Sequence, residues 1–131
     1  MGKAAANQGA KITATDKHNV QAPNGAVSTI SDPFSGQLST GLSTDVKIGG
    51  KAAAVVGSGA SNTPPHLAKP PLKFVVEPTN KGTVTGGSAT VKINGKPAAR
   101  DGDPAQTCDD ITPAVAGGKV EAEPGITVNI G

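Results

Sequence analysis

A threefold internal repeat constrains this chain more than any other feature of its sequence. The string GKAAANQG at residues 2–9 returns as GKAAAVVG at residues 50–57 and as GKPAARDG at residues 95–102. A repeat of this kind indicates one small supersecondary unit that is built several times and packed side by side. The shared pattern, G-K-x-A-A-x-x-G, therefore predicts three related units in one chain.

A short apolar alternation accompanies each copy of the repeat. The strings VKIG at residues 46–49 and VKIN at residues 91–94 precede the second and third copies, and the chain ends with VNIG at residues 128–131. Alternation with a period of two is typical of a short strand with one buried face. The first copy has only Met1 in front of it, and VNIG has no copy behind it. We therefore predict a closed ring of three units, in which the last strand lies beside the first segment.

Composition favours an all-β fold. The chain has 131 residues, of which 18 are glycine and 11 proline, and only two are aromatic, which disfavours long helices and a large apolar core. The paired alanines of each copy allow close backbone approach near an axis, and turn-forming residues fill the long segments between the units. We predict one small all-β domain over residues 1–131, built of three short β-hairpin-like units, with no linker and no second domain.

Charge and hydropathy exclude several classes of function. A formal charge of +2 and two phenylalanines give neither the basic surface nor the stacking platforms of a nucleic-acid-binding protein. The longest apolar run, residues 52–56, is far shorter than the roughly 20 residues that cross a bilayer. Lys3 is followed by no apolar stretch, so no signal peptide is expected and the chain is expected to start in the cytoplasm.

The two histidines and the one cysteine of the chain share a phase of the repeat. His18 and His66 each lie 16 positions after the first glycine of their copy, and Cys108 lies 13 positions after Gly95. Residues placed for unrelated reasons would not coincide in this way, so we predict that the three units bring two imidazoles and one thiolate to one metal ion. These donors suit zinc, with iron(II) as the alternative. Two satisfied histidines and a small buried cysteine are the competing interpretation.

A structural zinc site also requires a fourth protein ligand. The chain offers no third histidine. The nearby carboxylates belong to four aspartates, which the spacing alone does not rank: Asp16, Asp32, Asp109 and Asp110.

The motifs resemble those of the PAAR-repeat proteins over nearly the whole chain. GKPAARDGD at residues 95–103 contains the Pro-Ala-Ala-Arg tetrapeptide that names this family, and TDKH, DPFSG, NTPPH and TCDD fall in the family's order. The resemblance implies a cone-shaped β domain whose long loops converge on a tip, where a metal, typically zinc, is held by three histidines and one cysteine. His18, His66 and Cys108 match family ligands. Asp32 stands where the remaining histidine is expected, so it becomes the candidate for the fourth ligand, with water or an empty position as its rival.

The resemblance also implies a structural role without enzyme activity. PAAR-repeat proteins cap and sharpen the spike of contractile injection machines, such as type VI secretion systems, extracellular injection particles and phage tails. This role serves membrane puncture and effector delivery. The implied partner is a trimeric VgrG-like or phage spike protein, with one cap per trimer, non-covalently carried effectors and transient contact with the target membrane. The implied location is the tip of the injection particle, secreted or delivered into the target cell. Physically, a trimeric β-helix ends in strand edges that aggregate unless a threefold surface covers them.

Two other classes of function compete with this role. Two histidines, one cysteine and an open fourth position also describe a zinc-dependent hydrolytic enzyme. Against that, the chain contains neither an H-E-x-x-H motif nor a P-C-x-x-C motif. A repeat adhesin or scaffold without metal is the third interpretation.

Overall fold

The fold consists of β-strands throughout the described part of the chain. The structure is a computed structural model that describes residues 2–109 and 118–131. Its strands within these ranges confirm the predicted all-β class, and none of the described residues forms a helix that could span a membrane. In chain order the strands are β1 (Lys3–Ala4), β2 (Lys11–Gln21), β3 (Val27–Thr40), β4 (Lys47–Ile48), β5 (Lys51–Ala52), β6 (Gly59–Ser61), β7 (Lys73–Phe74), β8 (Lys81–Val84), β9 (Lys92–Ile93), β10 (Lys96–Pro97), β11 (Ala105–Gln106), β12 (Lys119–Glu121) and β13 (Asn129–Ile130).

Three two-stranded hairpins of one geometry form the part of the molecule that we call the base. β4 pairs with β5, β9 pairs with β10, and β13 pairs with β1, in each case antiparallel. An isoleucine lies opposite the repeat lysine in every hairpin, in the pairs Ile48–Lys51, Ile93–Lys96 and Ile130–Lys3. The pairing of β13 with β1 confirms that the last strand supplies the missing half of the first unit.

The turns of two of these hairpins explain their glycine and asparagine residues. Gly49 and Gly50 have φ values of 59° and 82°, and Asn94 and Gly95 have values of 52° and 80°. Two consecutive residues with positive φ form the turn that matches the right-handed twist of a tight hairpin, and glycine and asparagine accept this backbone at the lowest cost.

A closed ring of backbone hydrogen bonds joins the three units at the centre of the base. Ala6 N donates to Ala99 O, Ala99 N donates to Ala54 O, and Ala54 N donates to Ala6 O, each at 3.0 Å. These three alanines are equivalent positions of the repeat, and all are fully buried. Their backbones surround a pseudo-threefold axis, where a larger side chain would prevent this approach. The paired alanines of the repeat therefore serve the packing of the axis, as predicted.

One larger sheet extends from the base. Its strands follow the order β11-β8-β6-β3-β2-β12, and β7 pairs with the far end of β2. The two outer strands of this order also meet, because Ala105 N donates to Gly118 O at 2.8 Å and Pro104 forms a bridge with Lys119. The sheet thus curls into a half-barrel whose two outer strands meet at these residues, and its inner face surrounds the core.

The longest strands lie where the sequence predicts a loop between the first two units. β2 and β3 form one continuous antiparallel hairpin, with the register running from Lys11 opposite Gln37 to Gln21 opposite Val27. The buried positions of β2 follow a period of two over most of the strand, but an aspartate and a histidine occupy two of them and interrupt the apolar pattern. A proline, Pro33, also lies within β3, where it weakens the sequence signal for a strand.

The apolar interior has two main layers on the base side of His18, and Val20 is also fully buried beyond it. The lower layer takes one isoleucine and one alanine from each base unit: Ala5, Ala53, Ala98, Ile48, Ile93 and Ile130, packed with Val55. The upper layer contains the second alanine of each unit and the side chains of Ile12, Phe34, Leu38, Val84 and Val120. Since a strand advances about 3.3 Å per residue, His18 lies about 20 Å beyond Ile12 along β2.

Candidate metal centre

Three separate segments bring four potential ligands together, in the region that we call the tip. Asp16 and His18 lie two residues apart on the inward face of β2, His66 follows β6, and Cys108 follows β11. One ligand atom from each of these residues lies within 4.8 Å of the others. The structure thus brings together the three residues selected from the repeat phase and adds Asp16 to them.

Each ligand segment starts from one base unit through an equivalent turn. Three backbone hydrogen bonds mark these turns: Ala10 N to Asn7 O at 2.9 Å, Ser58 N to Val55 O at 2.9 Å and Asp103 N to Arg100 O at 3.1 Å. His18 and His66 both lie eight residues beyond their turn, and Cys108 lies five residues beyond its own. The shared phase in the sequence therefore reflects three related paths from the base to one point.

The separations of the donor atoms are close to those around a tetrahedral ion. His18 Nε2 and His66 Nδ1 are 2.9 Å apart, and Cys108 Sγ lies 3.8 Å from the first and 3.6 Å from the second. Asp16 Oδ2 is 3.3 Å from Cys108 Sγ. Donors around a zinc ion with ordinary bond lengths are about 3.3–3.6 Å apart. Small adjustments of these side chains would suffice for a metal to occupy their centre.

The orientation of His66 leaves one particular ring nitrogen for a metal. His66 Nε2 lies 3.0 Å from Pro33 O, and a carbonyl oxygen can only accept a hydrogen bond, so Nε2 carries the proton. Nδ1 is then the nitrogen with a lone pair, and it is the one that faces the ligand group. Asn80 Oδ1 also fixes this loop by accepting a hydrogen bond from His66 N at 2.8 Å. A backbone acceptor behind a ligand histidine is the usual support in metal sites.

Asp16 and Cys108 form a second hydrogen-bonded pair within the group. The hydroxyl of Thr107 donates to Asp16 Oδ1, and the thiol of Cys108 donates to Asp16 Oδ2. Burial, together with the neighbouring Asp16 carboxylate, raises the pKa of the Cys108 thiol to about 12. A cation that binds here must therefore displace the thiol proton, and it would take the place of that proton as the partner of Asp16.

Three of the four residues of the ligand group are shielded from solvent, and Cys108 is half-buried. Asp16 and His18 are fully buried and His66 is only 7% exposed. An ion held by Asp16 Oδ2, His18 Nε2, His66 Nδ1 and Cys108 Sγ would cross-link three segments of the chain. This enclosure suits a structural metal better than a site that must admit a substrate.

The other aspartates considered from the sequence take different positions. Asp32 lies directly opposite Asp16 in the β2–β3 register and outside the four-residue group, so its role as a ligand stays a prediction. Asp109 Oδ2 accepts a hydrogen bond from Lys17 N at 2.6 Å, and Asp110 lies outside the described residues. Sequence analysis could have favoured Asp16 over the others, because a residue two positions before His18 on a strand shares its face.

The fold and the site define a class of protein: a small all-β repeat domain whose three units form a pseudo-threefold base and converge on a candidate metal centre. The family model for the PAAR motif matches residues 1–105 and 76–130. The chain therefore belongs to the PAAR motif family, as the resemblance of its motifs predicts, and this family is a structural one. Searches of curated proteins and of solved structures give no match.

Proposed function

We propose that this protein caps the spike of a contractile injection machine and gives the spike its pointed end. The observation that carries the proposal is the base, in which one chain repeats the same hairpin three times around the hydrogen-bond ring of Ala6, Ala54 and Ala99. A surface of this symmetry can match the end of a homotrimer with one copy of the cap. Membership of the PAAR motif family supports the same role.

The base offers a homotrimer three equivalent contact sites. Within residues 2–109 and 118–131, β4, β9 and β13 each pair with one neighbour, which leaves an open edge in every unit. One valine per unit, Val46, Val91 or Val128, is also 36–45% exposed. Open edges and exposed apolar side chains favour association with other β-structure. The partner that fits best is a trimeric VgrG-like or phage spike protein.

At the tip, we propose that the Asp16, His18, His66 and Cys108 group binds zinc, with iron(II) as the alternative. The bound ion supplies no catalysis in this role and instead holds three segments of the chain together. Structural zinc contributes about 10–16 kcal/mol of apparent binding free energy in small peptides, which is comparable to the whole stability of about 5–15 kcal/mol of a typical domain. A metal can therefore decide whether the tip is ordered.

The proposed role also implies where the protein is found at each stage. The protein is made in the cytoplasm, joins the end of the spike, and is then secreted or delivered into the target cell after transient contact with the target membrane. Effectors carried without a covalent link are compatible with this role. A hydrolytic enzyme is the alternative, and the burial of Asp16 and His18 weighs against it.

Native mass spectrometry with the cognate spike protein tests the proposal. We expect a complex of one cap with three spike chains. Replacing Val46, Val91 and Val128 by aspartate should abolish this complex, while the matched control Leu67→Asp, which changes a side chain that is 78% exposed outside the base, should leave it intact. A complex of one cap with one spike chain, or binding that survives the triple substitution, would contradict the role of the base.

A further inference from the structure

The outer edge of β3 is open over residues 27–31. β2 pairs with one edge of β3 over most of its length, and β6 pairs with the other edge only near the end of the strand. The loop after β6 extends this cover, because Thr63 N donates to Ser35 O and His66 Nε2 donates to Pro33 O. Beyond Pro33, no described strand lies on that side of β3. We call residues 27–31 the open edge.

Unpaired backbone groups line the open edge. Hydrogen-bonding groups alternate between the two sides along an antiparallel strand. Ser35 and Pro33 direct theirs away from β2 to the loop. Val27, Thr29 and Ser31 share this phase and therefore face the same side. Within residues 2–109 and 118–131, the backbone groups of these three residues form no hydrogen bond there.

The open edge lacks the features that usually protect a strand from further pairing. Lysine, proline and β-bulges serve this purpose in natural sheets. The sequence of residues 27–31 is VSTIS, which contains neither a charge nor a proline, and its register against β2 is continuous. Valine, threonine and isoleucine also favour extended backbone. An edge of this composition suits the addition of another strand.

A cavity adjoins the open edge at Asp32. Its volume is about 270 Å³, and its lining includes Asp32, Pro64, Pro65 and Leu67. Small-molecule sites usually measure roughly 300–1,000 Å³, so this cavity suits a single side chain better. Asp32 is half-buried, forms no ion pair with the described lysines and arginines, and has an Oδ2 atom without a hydrogen-bond partner there. The cavity therefore suits a side chain with an apolar stem and a cationic end.

We propose that the open edge binds an extended segment of another protein, which joins the sheet as a further strand and places a lysine or arginine beside Asp32. Hydrogen bonds to Val27, Thr29 and Ser31 give the affinity, and the cavity gives the specificity. Residues directly opposite on neighbouring strands have Cβ atoms about 4.5–5.5 Å apart, so a basic residue opposite Asp32 forms a favourable pair. The open edge lies outside the base, so this binding does not depend on the capping role.

A second copy of this chain fits the open edge less well. Two copies would pair through this edge about a twofold axis, with the same surface on both sides. The residue opposite Asp32 would then come from the same part of the partner strand. Residues 24–34 contain no lysine or arginine. A second copy therefore leaves the Asp32 carboxylate without a cation.

Fluorescence anisotropy with a labelled nine-residue peptide, in which threonine and valine alternate around a central lysine, tests the proposal. We expect saturable binding to the full-length protein, and about 3- to 10-fold weaker binding when glutamate replaces the lysine. A peptide with N-methyl groups on both of its edges should not bind. The proposal is overturned if the lysine peptide does not bind, if the N-methylated peptide binds equally well, or if glutamate binds as tightly as lysine.

Ser31→Pro tests the open edge itself. The Ser31 N–H points away from β2, so proline removes an edge donor without breaking the pairing of β2 with β3. We expect Ser31→Pro to lose peptide binding, whereas the matched control Ser31→Ala keeps the N–H and should bind normally. Equal binding by the two variants would contradict strand addition. Should Ser31→Pro fail to fold, the N-methylated peptide decides with the unaltered protein.

Amide exchange shows which backbone groups the peptide covers. We expect bound peptide to slow exchange more at Thr29 and Ser31 than at Ser28 and Ile30, whose groups face β2. Equal slowing at both pairs of residues would overturn the proposal. A dimer in analytical ultracentrifugation that Ser31→Pro converts to a monomer would assign the open edge to a second copy, and would overturn it as well.

Discussion

The base and the tip of this molecule are stabilised in opposite ways. The base repeats one hairpin three times, and buried alanines and isoleucines fill it around a ring of backbone hydrogen bonds. The tip takes polar side chains from all three paths and places Asp16, His18, His66 and Cys108 where a core would otherwise continue. The apolar layers of the interior thus give way to polar side chains at the tip.

The difference follows from the space that each region encloses. At the base, three units can surround an axis because alanine lets their backbones approach, and apolar burial then stabilises the packing. Toward the tip, the enclosed volume is narrow and polar, so apolar burial contributes little. A bound cation can supply stability there without additional volume, provided that its ligands reach it from all three paths.

Metal removal should destabilise the tip strongly and leave the base intact. At a free zinc concentration 1,000-fold above Kd, binding stabilises a protein by about 4 kcal/mol, and a chelator removes this contribution. We expect a lower melting temperature and faster amide exchange around His66, while the amides of Ala6, Ala54 and Ala99 stay protected. Thermal denaturation and hydrogen exchange, with and without zinc, measure both.

Cys108→Ser is the matched variant for this experiment. It should lower metal content and melting temperature together, and added chelator should then have little further effect. A protein that is well folded, free of metal and equally stable would refute the assignment of the tip as a metal centre.

Overpacking the axis should destabilise the base and leave the tip unchanged. We expect the loss of stability to be smaller than the loss caused by metal removal. Ala54→Leu places a branched side chain in the fully buried ring of the base, and overpacking of this kind typically costs about 1–3 kcal/mol. Zinc affinity should change little, because the ligands lie in another region. Chemical denaturation and a zinc titration test both parts, with the exposed Ala89→Leu as control. A loss of zinc affinity equal to the loss of stability would show that base and tip are not separable.

The smallest effect concerns one ion pair at the flank of the base. The Lys51 ammonium and then the Asn7 amide lower the pKa of the Glu123 carboxyl. A lowered pKa gives stabilisation that is present above the ordinary pKa of glutamate and is lost as the pH falls through the lowered value. Melting temperatures of the unaltered protein and Glu123→Gln should therefore differ slightly at pH 7 and converge toward pH 3. A difference that grows on acidification would contradict this pairing.

The base could be predicted from the sequence because its determinants are local and repeated. The G-K-x-A-A-x-x-G copies and the V-x-I strings define each hairpin, and the unmatched pieces at the two ends require that β13 join β1. The convergence of His18, His66 and Cys108 followed from the same periodicity. In each case one unit provides the template for the others.

The remainder could not be predicted because it depends on contacts that the repeat does not encode. Asp16 and His18 occupy inward positions of β2, so the hairpin of β2 and β3 lacks the apolar alternation that reveals a strand. The pairing of Asp16 with Asp32 depends on the register of that hairpin. The spacing of Asp16 from His18 is readable in the sequence, but only the register shows where Asp32 lies relative to Asp16.

The pairing of β1 with β13 has a mechanical consequence. Two corners of the base are covalently continuous through tight turns, whereas the third is fastened only by hydrogen bonds and side-chain contacts between segments from opposite ends of the chain. Lateral tension would therefore separate β1 from β13 before it opened either of the two covalently continuous corners. Axial compression against a rigid spike would not pull β1 and β13 apart. The base would therefore resist an axial load better than a lateral one.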